Sequence, residues 1–307
     1  MNVIEIDNLV KKFGDHAAVD GLSLSIEQGE VFGLLGPNGA GKSTTINLVC
    51  GLLHATAGTV KLFGNKVDDE RKRLGFVPQN IALYDNFTAY ENVKFFGELY
   101  GLKGKELEDG IDEALEFTGL SDVKRKKAKT FSGGMLRRLN IAAALVHSPQ
   151  LIIMDEPTVG IDPQSRNHIL KSVQRLNEKG VTVVYTTHYM EEVEVLCNRI
   201  AIIDKGKVIA SGTKKELTEL IDDKKSLHLT VDNPYELDKD AMLSIDGVVN
   251  VEINDNLVQV ESLKDIDNLN TIIEYVSSKN VKVRDIGFKD VTLETVFLTL
   301  TGRKLRD

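Results

Sequence analysis

Hydrophobic positions in this chain follow two rhythms that alternate from one end to the other. The apolar runs Val31–Leu35, Leu151–Met154, Val181–Thr187 and Ile200–Ile203 have the length and β-branched content of strands buried on both faces. Leu22, Leu24 and Ile26 alternate with Ser23 and Ser25, the period-two signature of a half-buried strand. Val3, Ile4 and Ile6 open another, Gly58–Gly64 bounds a third, and Leu74–Gln79 predicts a fourth that Pro78 stops. Between these lie stretches with spacings of three and four. One opens where Thr88 and Glu91 stand at capping-box spacing and carries Leu107, Ile111, Ala114, Leu115 and Phe117 on one stripe towards Gly119. Others run through Leu136, Leu139, Ala143 and Val146, and over 163–179 through Ile169, Leu170, Val173 and Leu176. Buried strands alternating with helices predict an α/β fold with a largely parallel sheet and crossover helices. A helical subdomain is expected at about 88–147.

The order changes after Ile203. Asp204–Lys207 predicts a turn into Val208–Ala210, and Thr213 with Glu216 forms a second capping box for a helix towards Leu220. Beyond it, strands are expected at 227–231, 248–253, 257–260 and 281–283, with helices at 266–276 and 291–301. This is a small α+β domain over 221–307, following a first domain over 1–220. Charge marks the same boundary. Residues 1–220 hold 27 basic and 29 acidic groups, net −2, and 221–307 hold 11 and 17, net −6, which together give the −8 of the chain. That balance speaks against nucleic acid as a partner, and the basic run 124–129 reads as a solvated face. Cys50 and Cys197 have no pairing or metal spacing and read as thiols of a reducing compartment. Glu5 and Asp7 interrupt the N-terminus too soon for a signal peptide. No run approaches the ~20 apolar residues of a membrane span, so any membrane role is expected through a partner.

The densest chemistry follows the strand at 31–35. Gly36-Pro37-Asn38-Gly39-Ala40-Gly41-Lys42-Ser43 fits G-x-x-x-x-G-K-[ST], and the segment from Thr44 onward reads as a helix. Glycines let backbone N–H groups turn towards phosphate oxygens, and the helix start adds its dipole. Lys42 is the mobile charge for the β- and γ-phosphates, and Ser43 offers a hard oxygen to Mg²⁺. Residues 36–44 are therefore the expected nucleotide-binding loop, with ATP and Mg²⁺ as cofactors. A second element is the strand 151–154 ending in Asp155, suited to a Mg²⁺ shell, and Glu156, suited to polarise an attacking water. A third is Ser132-Gly133-Gly134 at a helix start, another anion-binding N-terminus, which suggests a nucleotide shared between two subunits.

With these three motifs in register, residues 1 to about 220 resemble the ATP-binding subunit of an ABC transporter, an α/β P-loop NTPase. The resemblance implies roles for further residues. Phe131-Ser132-Gly133-Gly134-Met135 stands where the family has Leu-Ser-Gly-Gly-Gln, keeping the core that faces the γ-phosphate. Gln79 matches the glutamine loop, a sensor of Mg²⁺ and of the membrane partner. Asp162 matches the D-loop that links the two sites of a dimer, and His188 the switch histidine. Phe13 matches the aromatic that stacks on adenine. Glu156, His188, Lys42 and Gln79 are the implied catalytic set, and Ser43, Gln79 and Asp155 the metal set. His16, His54, His147, His168 and His228 fit no pattern and read as structural.

The family mechanism implies a head-to-tail homodimer or heterodimer of such subunits, bound to a transmembrane permease at the cytoplasmic face of the membrane. The segment 157–166 and the ending 293–303 resemble bacterial ABC-2-type exporters, which implies efflux of a drug, antibiotic or lipid-like compound, with polysaccharide or sodium export as alternatives. A soluble ABC ATPase acting on ribosomes would usually carry two ATPase modules, and this chain has one phosphate loop. A DNA-repair ATPase would need a long coiled coil between Gln79 and Ser132, where none fits. The C-terminal domain is expected to be a dimer-stabilising appendage or a regulator of dimer closure.

Overall fold

The computed structural model describes residues 1–221, 224–289 and 292–302. They divide into two compact units, one of Met1–Lys214 with the segment from Leu300, and one of Lys215–Thr299.

The first unit opens on the hairpin β1 (Asn2–Phe13) and β2 (His16–Glu27), followed by β3 (Val31–Leu35) and α1 (Lys42–Val49). Next come β4 (Ala57–Leu62), β5 (Asn65–Lys66) and the short α2 (Val67–Glu70), then β6 (Leu74–Val77). The helical subdomain consists of α3 (Ala89–Leu99), α4 (Gly104–Phe117) and α5 (Gly133–Leu145). Thr88 caps α3 with the reciprocal Glu91 bonds that the spacing predicts. The long helical stretch is broken in two at Gly101, whose φ of 89° a side chain would resist. The chain returns through β7 (Leu151–Asp155), α6 (Pro163–Glu178), β8 (Thr182–Thr187), α7 (Met190–Leu196), β9 (Arg199–Asp204) and β10 (Lys207–Gly212); α8 (Lys214–Glu219) follows and belongs from Lys215 to the second unit.

Two sheets result. β10-β9-β3-β8-β7-β6 is parallel except for β10, which joins β9 through the expected hairpin. β2-β1-β4-β5 is a separate antiparallel sheet. The parallel strands bury both faces, and alternate residues divide between two cores. Phe32, Leu34, Ile153 and Val184 meet Ile4, Leu22 and Leu62 of the antiparallel sheet together with Ile46 and Val49 of α1. Val31, Ile152, Met154, Val183 and Tyr185 meet Ile169 and Val173 of α6 on the other side. A third core, with Val93, Ile111, Leu115 and Leu139, holds the helical subdomain together.

The second unit contains β11 (Lys224–Val231), α9 (Lys239–Leu243), β12 (Val248–Asn254), β13 (Leu257–Leu263), α10 (Leu269–Ser278), β14 (Val283–Lys289) and α11 (Leu293–Thr301). Its antiparallel sheet runs β12-β13-β11-β14 and packs Leu227, Leu229, Val251, Val258 and Val260 against Met242, Ile272 and Val276. The strand expected at 281–283 instead begins at Val283, because Val281 plugs the core from the preceding loop while Gly287 pairs with His228. The expected helix start at Val291 and Arg303 of the C-terminal ending lie outside the described residues.

Candidate active site

The loop between β3 and α1 carries the phosphate-binding pattern at the head of the parallel sheet. Gly41 caps α1 at φ 102°, and a Cβ there would run into the carbonyl of Ala18. Only glycine therefore allows the loop to fold back against β2. A Cβ on Gly39, at φ 78°, would meet open space, which leaves that part of the backbone accessible to a ligand. No acidic residue stands in the first turn of α1, so nothing competes with an anion at its positive end.

Asn38 to Thr44 line a cavity of about 400 Å³ together with Phe13, His16, Ala18, Gln79 and Glu156. Phe13 is half exposed at the rim, with Lys11 Nζ over its ring at 5.1 Å from the centroid. His16 lies directly opposite it across the β1–β2 turn. The sequence reading left His16 as structural; the structure moves it to the mouth of this cavity. Gly36 and Pro37 stand behind the loop and accept hydrogen bonds from Lys42 Nζ at 2.7 and 3.2 Å. Burial lowers the Lys42 pKa, while the charges of Glu156 and Asp155 oppose that shift.

Three of the expected catalytic residues meet on the fourth. Glu156 Oε1 lies 3.5 Å from Lys42 Nζ, and Oε2 accepts from Gln79 Nε2 at 3.1 Å and lies 3.6 Å from His188 Nδ1. Thr186 holds the two acids at the end of β7. Its Oγ1 accepts from the Glu156 N–H at 2.8 Å and donates to Asp155 Oδ1 at 2.6 Å. Gln79 is itself held, because the buried Arg137 guanidinium donates to the carbonyls of Pro78 and Gln79 at 2.8 and 2.6 Å. Thr186 and Arg137 escaped the sequence reading. Arg137 had a signal, one of two adjacent arginines inside a largely apolar helix, whereas Thr186 had none.

Ser132, Gly133, Gly134 and Asp162 do not line this cavity. They form a second cluster, where Ser132 caps α5 through Met135 N and Asp162 caps α6 through Ser165 N. The hydrogen bond from the Ser165 N–H holds the Asp162 carboxyl below its usual pKa. Gly134 is pressed against Ser165 and Asp162, while a Cβ on Gly133 would meet nothing. The signature and D-loop residues thus share one place, distinct from the phosphate loop of their own chain.

The residues fit a nucleoside triphosphate: open loop amides, a lysine, and two acids at the end of a strand two places away in the same sheet. For Mg²⁺, Ser43 and Gln79, which line the cavity, and Asp155, which immediately precedes Glu156 and does not, would supply oxygens of the hard type it takes. Among the described residues no three His, Cys, Asp or Glu side chains form a cage.

A phosphate loop at the head of a parallel sheet, with a paired Asp-Glu at the end of a strand two places away, defines a P-loop nucleoside triphosphatase. Residues 19–159 match the ABC transporter family. The chain is 44% identical over 311 residues to the linearmycin resistance ATP-binding protein LnrL of Bacillus subtilis, covering 99% of this chain and all of the relative. It is 37% identical to the daunorubicin/doxorubicin resistance ATP-binding protein DrrA of Streptomyces peucetius (99% and 94% covered) and 35% identical to the Nod factor export ATP-binding protein I of Cupriavidus metallidurans (99% of each). A solved ATP-binding subunit of an ABC transporter superposes with TM-score 0.66 and 27% identity over 71% of this chain and 93% of that one. A dimeric post-hydrolysis ATP-binding cassette with ADP and Pi gives 0.63 and 31% over 68% and 98%. The chain therefore belongs to the ATP-binding proteins of ABC transporters, and is similar to those of ABC-2-type drug and antibiotic resistance. It is an ATPase whose hydrolysis is coupled to transport. No helix among the described residues is long and apolar enough to cross a membrane.

Proposed function

We propose that this chain powers a separate transmembrane permease that exports an antibiotic or a similar drug or lipid-like compound. The relatives named for linearmycin and for daunorubicin/doxorubicin resistance support that cargo class. Residues 36–44 hold the triphosphate of ATP, Phe13 stacks on its base, and Ser43, Asp155 and Gln79 hold Mg²⁺. Glu156 orients and polarises the attacking water, with His188 and Lys42 beside it to balance charge as the phosphoryl group leaves. Ser132, Gly133, Gly134 and Asp162 face the nucleotide of a second subunit, a copy of this chain or a related one. ATP closes the pair, hydrolysis reopens it, and the permease converts that cycle into alternating access. The whole acts at the cytoplasmic face of the membrane.

The observation that carries this reading is the convergence of Lys42, Gln79 and His188 on the Glu156 carboxylate. Capture of tagged Glu156→Gln protein from gently solubilised host membranes tests the partner. A multi-span membrane protein in stoichiometric amount is expected. Ribosomal proteins in its place would transfer the ATPase to a soluble role.

A further inference from the structure

Glu192, in the first turn of α7, is 1% exposed, and the chemistry above leaves it unassigned. Its Oε1 pairs with Arg166 Nε at 2.6 Å. Its Oε2 accepts from Thr187 Oγ1 at 2.9 Å and from Thr158 Oγ1 and Tyr185 OH at 3.0 Å each. These donors come from separate stretches of chain. Thr158 stands two residues after Glu156, and Val159 N donates back to the Glu156 carbonyl at 3.3 Å. Thr187 immediately precedes His188, and its Oγ1 accepts from Tyr189 N at 3.0 Å. Arg166 lies in the first turn of α6, the helix that Asp162 caps, and its guanidinium also covers the Tyr189 ring at 4.9 Å.

We propose that Glu192 is a positioning residue for ATP hydrolysis. It locks the segments carrying Glu156 and His188 to the start of α6, so that engagement of Asp162 by a second subunit reaches the catalytic pair. The physical reason is the cost of separating these groups. A buried carboxylate with one cation and three hydroxyls has no solvent to fall back on, so the four segments shift together or not at all. An exposed pair in its place would let each loop move alone. The inference rests on the roles given to Glu156 and His188 above.

Glu192→Gln in the full chain keeps the side chain's shape and an acceptor oxygen but removes the charge facing Arg166. The expected result is a kcat at least tenfold lower with the KM for ATP within about twofold, the split of a group felt only in the transition state. Arg166→Met with Glu192→Gln removes both charges together. It restores thermal stability towards wild type while kcat stays low, and it carries the test should the single variant fold poorly. Wild-type kcat in either folded variant, or a raised KM at unchanged kcat, overturns the proposal. Glu156→Gln run alongside separates the two levels: if that variant also turns over normally, the catalytic assignment itself is wrong. If only the Glu192 variants do, the positioning role alone is lost.

Discussion

At the residue scale, the site is held by side chains that do no chemistry. Glu156 itself adopts φ 46°, the left-handed region that costs a non-glycine residue about 1 kcal/mol. The Thr186 hydroxyl and carbonyl, both accepting from the Glu156 N–H, hold it there. Thr186→Val, nearly the same shape, strips a partner from the Glu156 N–H and from the Asp155 carboxylate. The Glu156 N–H keeps the backbone carbonyl of residue 186, so we expect a loss of about 1–3 kcal/mol from the buried Asp155 oxygen left without its hydroxyl donor, read in denaturant unfolding, and a kcat at least several-fold lower. Glu156→Gln is expected to slow hydrolysis by about 10²–10⁴ with ATP affinity retained, measured by phosphate release and equilibrium binding. Lys42→Ala weakens ATP binding itself. Lys42 and Glu156 were expected from motifs whose chemistry explains their residue types, and Gln79 and His188 from the family resemblance; the structure brings the four side chains together. Thr186 and Glu192 were not: their partners Asp155 and Arg166 lie 31 and 26 residues away, and nothing local marks a contact that only folding makes.

At the scale of elements, the two glycines of the Ser-Gly-Gly turn separate folding from function. Gly134 has no room for a Cβ beside Ser165, so Gly134→Ala is expected to lower the melting temperature. Gly133 faces open space, so Gly133→Ala leaves the melting temperature unchanged and lowers ATP-dependent dimerisation and turnover instead. Equal destabilisation in a thermal melt would contradict this.

Another element junction is pH-sensitive. His147, just after α5, stacks on Tyr100 with ring centroids 3.5 Å apart, and its Nε2 lies 3.1 Å from the Leu74 carbonyl, as an Nε2–H tautomer requires. Nδ1 is buried with no partner among the described residues, and burial lowers the His147 pKa to about 4. Below the ordinary value near 6.5 the unfolded chain binds the proton first, so this contribution to stability is full above about pH 6.5. It is lost as pH falls towards 4, by up to about 3 kcal/mol. Unfolding midpoints of wild type and His147→Gln should converge across that window. The parallel sheet was legible because its strands are apolar on both faces. The stacking of β1, β2, β4 and β5 as a second sheet was not, since the pairing is long-range. β14 was misplaced because its edge position tolerates Arg284, Asp285 and Gly287, which hide its alternation.

At the scale of the molecule, one chain holds the phosphate loop with its catalytic carboxylate in one place and the signature turn with Asp162 in another. In the proposed dimer, a nucleotide bound in the cavity would meet the first set from its own chain and the second from its partner. The change in charge near residue 220 marked a second unit at the level of sequence, and compactness divides the chain at Lys214. Its antiparallel sheet carries no nucleotide motif. The measurement that tests the account most directly is the mass of purified Glu156→Gln protein by light scattering, with and without Mg-ATP. A monomer that becomes a dimer when ATP is added and stays dimeric is expected, with Gly133→Ala abolishing the change. A protein that binds ATP and remains a monomer at every concentration would contradict it.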